Sequence, residues 1–216
     1  MLALTFPPDR PLERILAIGS HADDIEIGCG GTILRLAETH ANLHVSWVVL
    51  SADRERVGEA RRSAAAFLDG VGSSEVVVAD FQDGFFPYVG GDVKAFFEKL
   101  KAEVSPDVIF THQRLDLHQD HRLVSELTWN TFRDHFILEY EIPKYDGDLG
   151  APNLFVHLSE TISRRKIEAI LAHFSSQLDR RWFTDDLFLS FLRLRGMESN
   201  SPTRYAEAFY CRKIVL

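Results

Sequence analysis

Short apolar runs alternate along this chain with stretches in which apolar residues recur every three or four positions. Ile15-Leu16-Ala17-Ile18 lies between Arg14 and Gly19 and reads as a strand buried on both faces. Comparable runs follow at 43–50, 75–79 and 108–111. Helical spacing covers 32–39, 57–68 and 93–104, the last preceded by Asp92 as an N-cap.

Repeated strand–helix units of this length predict an α/β, Rossmann-like fold: a mostly parallel twisted sheet with helices on both faces. Each crossover helix must cover a sheet face to bury its apolar stripe. Such sheets place their sites at the carboxyl ends of the strands. The second half is less regular, with helices expected at 118–132, 162–174 and 185–194, apolar segments at 136–142 and 154–158, and a tail, 205–216, docking as a strand. No linker or fixed-period repeat interrupts the pattern, so residues 1–216 are read as one domain.

Composition narrows the function classes. The net charge of -8 repels phosphate backbones and anionic lipid, which argues against nucleic acid and membrane partners. Two cysteines, Cys29 and Cys211, are too few for a disulfide framework or a cysteine-built metal site, and no run approaches 18 apolar residues. A soluble, cytoplasmic protein without membrane insertion is expected.

Chemistry-bearing residues gather in two places. After the first strand comes His21-Ala22-Asp23-Asp24-Ile25-Glu26, then Gly28-Cys29-Gly30-Gly31-Thr32. Acids at a helix N-terminus are each worth about 0.3–1 kcal/mol, but three together repel one another, and a cation relieves that cost. The glycines resemble a dinucleotide fingerprint, which fails here because a pyrophosphate would meet Asp23, Asp24 and Glu26. The second cluster follows the fourth strand: His112, Asp116, His118, Asp120 and His121. On a helix, His118 and His121 share one side. The fold brings both clusters to one rim, where they offer the three nitrogen or oxygen ligands of a catalytic zinc with an open position. Spacing alone leaves open which histidines bind.

These residues resemble the motifs of the PIG-L/LmbE-like metal-dependent N-deacetylases, which include the phosphatidylinositol-glycan, mycothiol and bacillithiol deacetylases. The family's His-Pro-Asp-Asp, Glu and Gly-x-Gly-Gly-Thr are matched by His21-Ala22-Asp23-Asp24, Glu26 and Gly28-Cys29-Gly30-Gly31-Thr32, with only the proline missing. Its second motif is matched by Asp116-Leu117-His118-Gln119-Asp120-His121. Fainter echoes are Arg56-x-x-Glu59, His173-Phe174-Ser175-Ser176-Gln177 and Tyr205-Ala206-Glu207-Ala208-Phe209.

The resemblance implies one zinc per chain, with other divalent metals accepted, held by His21, Asp24 and His121. It implies Asp23 as general base, protonated His118 as the electrophilic partner of the scissile carbonyl, and Asp120 behind the ligands, hydrogen-bonded to a histidine ring. Arg56 is the substrate-binding candidate. The implied reaction is removal of an acetyl group from an N-acetylated amino sugar or its conjugate, and relatives often form homo-oligomers.

Other readings attach to single residues. Arg54, His112, Gln177 and the Asp83-to-Tyr88 loop are rim candidates, Glu26 a hydrogen-bonding neighbour of the ligands, and Cys29 a packed thiol. Competing functions are a Cys29–His21 hydrolase, disfavoured because neighbouring carboxylates raise a thiol pKa, a sugar-binding protein that retains metal without turnover, and a metal-dependent phosphoesterase or other amide or ester hydrolase.

Overall fold

The computed structural model describes residues 1, 3–7 and 9–215. The alternation expected from the sequence is present: β1 (Arg14–Gly19), α1 (Asp24–Thr39), β2 (His44–Val49), α2 (Arg54–Phe67), β3 (Ser73–Val78), α3 (Gly90–Glu103), β4 (Val108–His112), α4 (Gln119–Thr131) and β5 (Phe136–Tyr140). Then come β6 (Leu154–Leu158), α5 (Glu160–His173), α6 (Asp185–Glu198) and β7 (Tyr205–Cys211).

The sheet runs β3-β2-β1-β4-β5-β7-β6. The first five strands pair in parallel, whereas β7 is antiparallel to both β5 and β6. Two apolar clusters follow from this layering. One includes Ile15, Ala17, Trp47, Phe67, Tyr140 and Phe209, and the other Leu16, Ile18, Phe86, Phe97, Ile109 and Phe132. Consecutive residues of β1 thus enter different clusters, as strand geometry demands.

The chain order reverses at β1, which has β2 on one side and β4 on the other. Loops leaving β1 and β4 therefore face each other across the crevice where such sheets bind ligands. Among the described residues, no helix is long and apolar enough to cross a membrane.

Two expected element boundaries change most. The first helix begins at Asp24, not at residue 32, and runs through the glycines. A Cβ at Gly28 would collide with the Tyr140 ring, and one at Gly31 would lie 2.5 Å from Leu158 and 2.9 Å from Glu207. Those glycines let the helix sit close on the sheet, which outweighs their low helix propensity. The last strand ends at Cys211, and residue 216 of the expected strand lies outside the described residues.

Candidate active site

The β1–α1 turn carries His21, Asp23 and Asp24, all buried. Asp23 occupies the N-cap position of α1, yet its side chain caps nothing. Its Oδ1 instead accepts from Arg56 on α2 at 2.8 Å. Asp24 Oδ2 accepts the His21 backbone N–H at 2.6 Å, closing the turn. Across the crevice His118 caps α4 with its Nδ1, which accepts from the Asp120 N–H at 3.3 Å, and His121 lies one turn further on.

Three ligand atoms converge between these loops. His21 Nδ1 lies 3.1 Å from His121 Nε2 and 3.4 Å from Asp24 Oδ2, and His121 Nε2 lies 3.5 Å from Asp24 Oδ2. Tetrahedral bonds of about 2.0–2.1 Å separate ligand atoms by about 3.3 Å, so the triangle has the size of one face of a zinc site.

The outer nitrogens point to the same conclusion. His121 Nδ1 lies 2.9 Å from Asp116 Oδ2, and His21 Nε2 lies 3.0 Å from Asp83 Oδ1 and 3.3 Å from Asp120 Oδ2. With those nitrogens donating to carboxylates, each ring in its neutral form turns its inner nitrogen lone pair toward Asp24 and the other ring. A proton on His21 or a bound cation relieves the repulsion of that arrangement, and the geometry suits either.

Other groupings of these side chains are also compact: His21, His118 and His121; Asp24, His112 and His121; His21, Asp83 and Asp120. His112 is disfavoured as a ligand, because its Nε2 already accepts the Ser20 N–H at 3.0 Å. The expected rim position for His112 is therefore corrected. It is fully buried at the end of β4, with its ring stacked on His121 at 3.8 Å between centroids.

Burial sets the electrostatics. Burial pushes Asp23 above the ordinary aspartate range, against the pull of Arg56. Burial also acts on Asp24, but His121 and His112 hold its carboxyl well below that range. Burial lowers His21, yet Asp120, Asp24 and Asp83 outweigh it and raise the ring well above 6.5. His121 falls to about 4 through burial and the neighbouring His112. His118 is lowered by burial and by His21.

A cavity of about 360 Å³ opens onto these groups. Arg56, Asp83, Gln177, Tyr145 and Trp182 stand on its walls. Arg54 is exposed and outside that lining. The loop after β3 divides: Phe86 is buried, while Phe85 and Tyr88 are exposed. Glu26 makes no hydrogen bond to the ligand set, contrary to expectation. It is wholly buried in α1 facing Ser63, and burial raises its carboxyl to about 8. Cys29 is a buried free thiol whose pKa burial raises, which removes the cysteine-hydrolase reading.

Two faint sequence echoes meet in space. Glu59 Oε1 accepts from Ser175 Oγ and the Ser176 N–H, and its Oε2 from Ser176 Oγ, at 2.6–3.0 Å. This anchors the segment that carries Gln177 to the helix that carries Arg56. Sequence reasoning missed Lys144, whose Nζ lies 3.0 Å from Asp116 Oδ2. No motif flags it, and only the 140–150 loop's return to the β4–α4 loop places it there.

Fold and site together define an α/β enzyme with a candidate metal centre at its topological switch point. The family described as PIG-L, GlcNAc-PI de-N-acetylase, matches residues 16–132, more than half of the chain. The chain belongs to this family and is a hydrolytic, amide-cleaving enzyme. It is similar to the uncharacterized deacetylase YaiS of Escherichia coli K12, with 29% identity over 171 residues covering 74% of this chain and 89% of that protein. The N,N'-diacetylchitobiose deacetylase of Pyrococcus horikoshii shares the fold, with a TM-score of 0.69 at 21% identity over 93% of this chain and 84% of that one. So does GalB, the 4-carboxy-2-hydroxymuconate hydratase of Pseudomonas putida KT2440, with a TM-score of 0.73 at 17% identity over 95% and 98% of the two chains. The fold therefore carries more than one chemistry, and the site must decide.

Proposed function

We propose that this chain is a zinc-dependent deacetylase that frees the amine of an N-acetylated amino sugar or its conjugate. The observation that carries the proposal is the convergence of His21 Nδ1, Asp24 Oδ2 and His121 Nε2 within 3.5 Å of one another. Two imidazoles and one carboxylate suit zinc, and would also accept iron or cobalt. The family description and the diacetylchitobiose deacetylase support the sugar.

A cation held there supplies Lewis acidity at the amide carbonyl and lowers the pKa of bound water from about 15.7 to about 7. Asp23 is the general base: it adjoins Asp24 in the chain, and its burial strengthens it as a proton acceptor. Arg56 orients that carboxylate in the free protein and faces the same cavity, so it can also meet a substrate oxygen.

His118 acts as a hydrogen-bond donor in neutral form, not as the imidazolium expected from the sequence. Its pKa is lowered, and its Nδ1 is occupied by the Asp120 N–H, which leaves Nε2–H to donate. Such a donor at a developing oxyanion is worth about 3–4 kcal/mol. Asp23 then returns its proton to the departing nitrogen, which would otherwise leave as an amide anion.

The test is release of primary amine from a panel of N-acetylated sugars, nucleotide sugars and glycosides, using zinc-loaded and chelator-stripped protein in parallel. Metal-dependent release is expected, and the ranking of the panel narrows the substrate. Saturable sugar binding with no amine released by the loaded protein would replace this reading with that of a binding protein.

A further inference from the structure

Lys144 lies in the loop between β5 and β6, 23 residues beyond the last residue of the second motif. Its side chain is only 10% exposed. Buried ammonium groups persist where carboxylates surround them, and Lys144 has two. Its Nζ lies 3.0 Å from Asp116 Oδ2 and 2.5 Å from Asp148 Oδ2, and both carboxylates are almost fully buried.

Each carboxylate is engaged on a second side. Asp116 Oδ2 is the acceptor for His121 Nδ1, and Asp116 Oδ1 accepts the His118 N–H at 2.8 Å. Asp148 Oδ2 accepts the Leu117 N–H at 2.7 Å, and Gln113 Nε2 donates to the Asp148 carbonyl at 3.1 Å. One ammonium therefore ties the 144–148 segment to the stretch bearing His118 and His121. The residue after Lys144 is Tyr145, a wall of the cavity and largely exposed.

We infer that Lys144 is a positioning residue: it clamps Asp116, which aims His121 Nε2 at the metal position, and the same clamp holds the Tyr145 wall beside it. Without the ammonium, Asp116 and Asp148 would repel one another across the vacated position, and Asp116 would swing from His121. Lost partners behind a ligand cost about 10–100-fold in metal affinity. The inference rests on the metal site proposed above, but it concerns metal retention, not the reaction.

The experiment is zinc affinity of the full chain, measured by competition with a chromophoric chelator, alongside the visible spectrum of the cobalt-loaded protein. Lys144→Met is expected to bind zinc about 10–100-fold more weakly and to shift the cobalt bands. Because that variant strands two buried carboxylates, Lys144→Met combined with Asp148→Asn is measured as well. It removes the repulsion between the two carboxylates but still lacks the ammonium that holds Asp116 Oδ2 toward His121, so weaker zinc binding is expected of it too. A folded double variant with wild-type zinc affinity and spectrum would overturn the inference. Wild-type protein that binds no zinc would overturn both it and the metal site. Tight zinc with no amine release would overturn the proposed reaction alone, and weaker zinc in the variants would still support the role of Lys144.

Discussion

His21 Nδ1 and His121 Nε2 face each other at 3.1 Å, although 100 positions separate them in the chain. Each ring is held from behind by a carboxylate, Asp120 for His21 and Asp116 for His121. The pair is thus oriented by groups outside the cavity, and its geometry does not depend on a substrate being bound. Asp120 does more than hold a ring: its oxygens also accept the Gly84 and Phe86 N–H groups at 2.7 and 3.1 Å. The loop that carries Asp83 is therefore pinned to the same residue as the His21 ring.

Asp23→Asn should separate binding from turnover. Asp23 lies beside the proposed ligands but is not one of them, so zinc content should stay at one per chain while kcat falls about 10²–10⁴-fold, the usual worth of a general base. His121→Ala should instead lose the metal. Metal analysis and amine release on both variants check this, and normal turnover by Asp23→Asn would remove the base assignment.

Arg56 should set the acid limb of the pH profile if Asp23 is the base. Asp23 must be ionised to accept a proton, and burial raises its pKa while Arg56 lowers it. Activity should rise with pH through a value above the ordinary 3.8, and Arg56→Met should move that limb to higher pH as well as raise KM. A pH series of kcat/KM for the two proteins decides it, and an unmoved limb would mean that Arg56 serves the substrate alone.

Glu26 makes stability fall with rising pH. Its carboxyl titrates near 8 in the folded protein against an ordinary 4.5, so between those values the folded state holds a proton that the unfolded state has lost. Its contribution is therefore most favourable below about pH 4.5 and is lost progressively up to about 8, on the order of a few kcal/mol in all. Glu26→Gln should raise the melting temperature at pH 8.5 and change it far less at pH 5. Thermal melts with the same pH dependence in both proteins would contradict this.

Gly28→Ala should destabilise the fold by about 1–3 kcal/mol, the typical cost of overpacking. The new methyl group would meet the Tyr140 ring, which cannot retreat freely because its hydroxyl donates to the Ile18 carbonyl at 2.6 Å. Urea titration of the variant gives the number directly, and an unchanged midpoint would show that the ring has room to shift.

Much of this protein is local in character, and the sequence by itself determined those parts. Apolar runs such as Ile15 to Ile18 and the helical spacing between them specified a mostly parallel α/β sheet, because strand and helix periods act over a few residues. The crowding of Asp23, Asp24 and Glu26, and of His118, Asp120 and His121, marked both halves of the site for the same reason. Tertiary structure decided what depends on contacts between distant segments. Close packing against Tyr140 and Leu158 keeps glycines inside α1, which runs from Asp24. The stacking of His112 on His121, the isolation of Glu26 against Ser63, and the approach of Lys144 to Asp116 follow from how β4, α2 and the 140–150 loop are stacked. No residue near any of them in the chain carries a signal of its partner, since burial and distance are properties of the packed layers and not of the strand or helix that supplies the side chain.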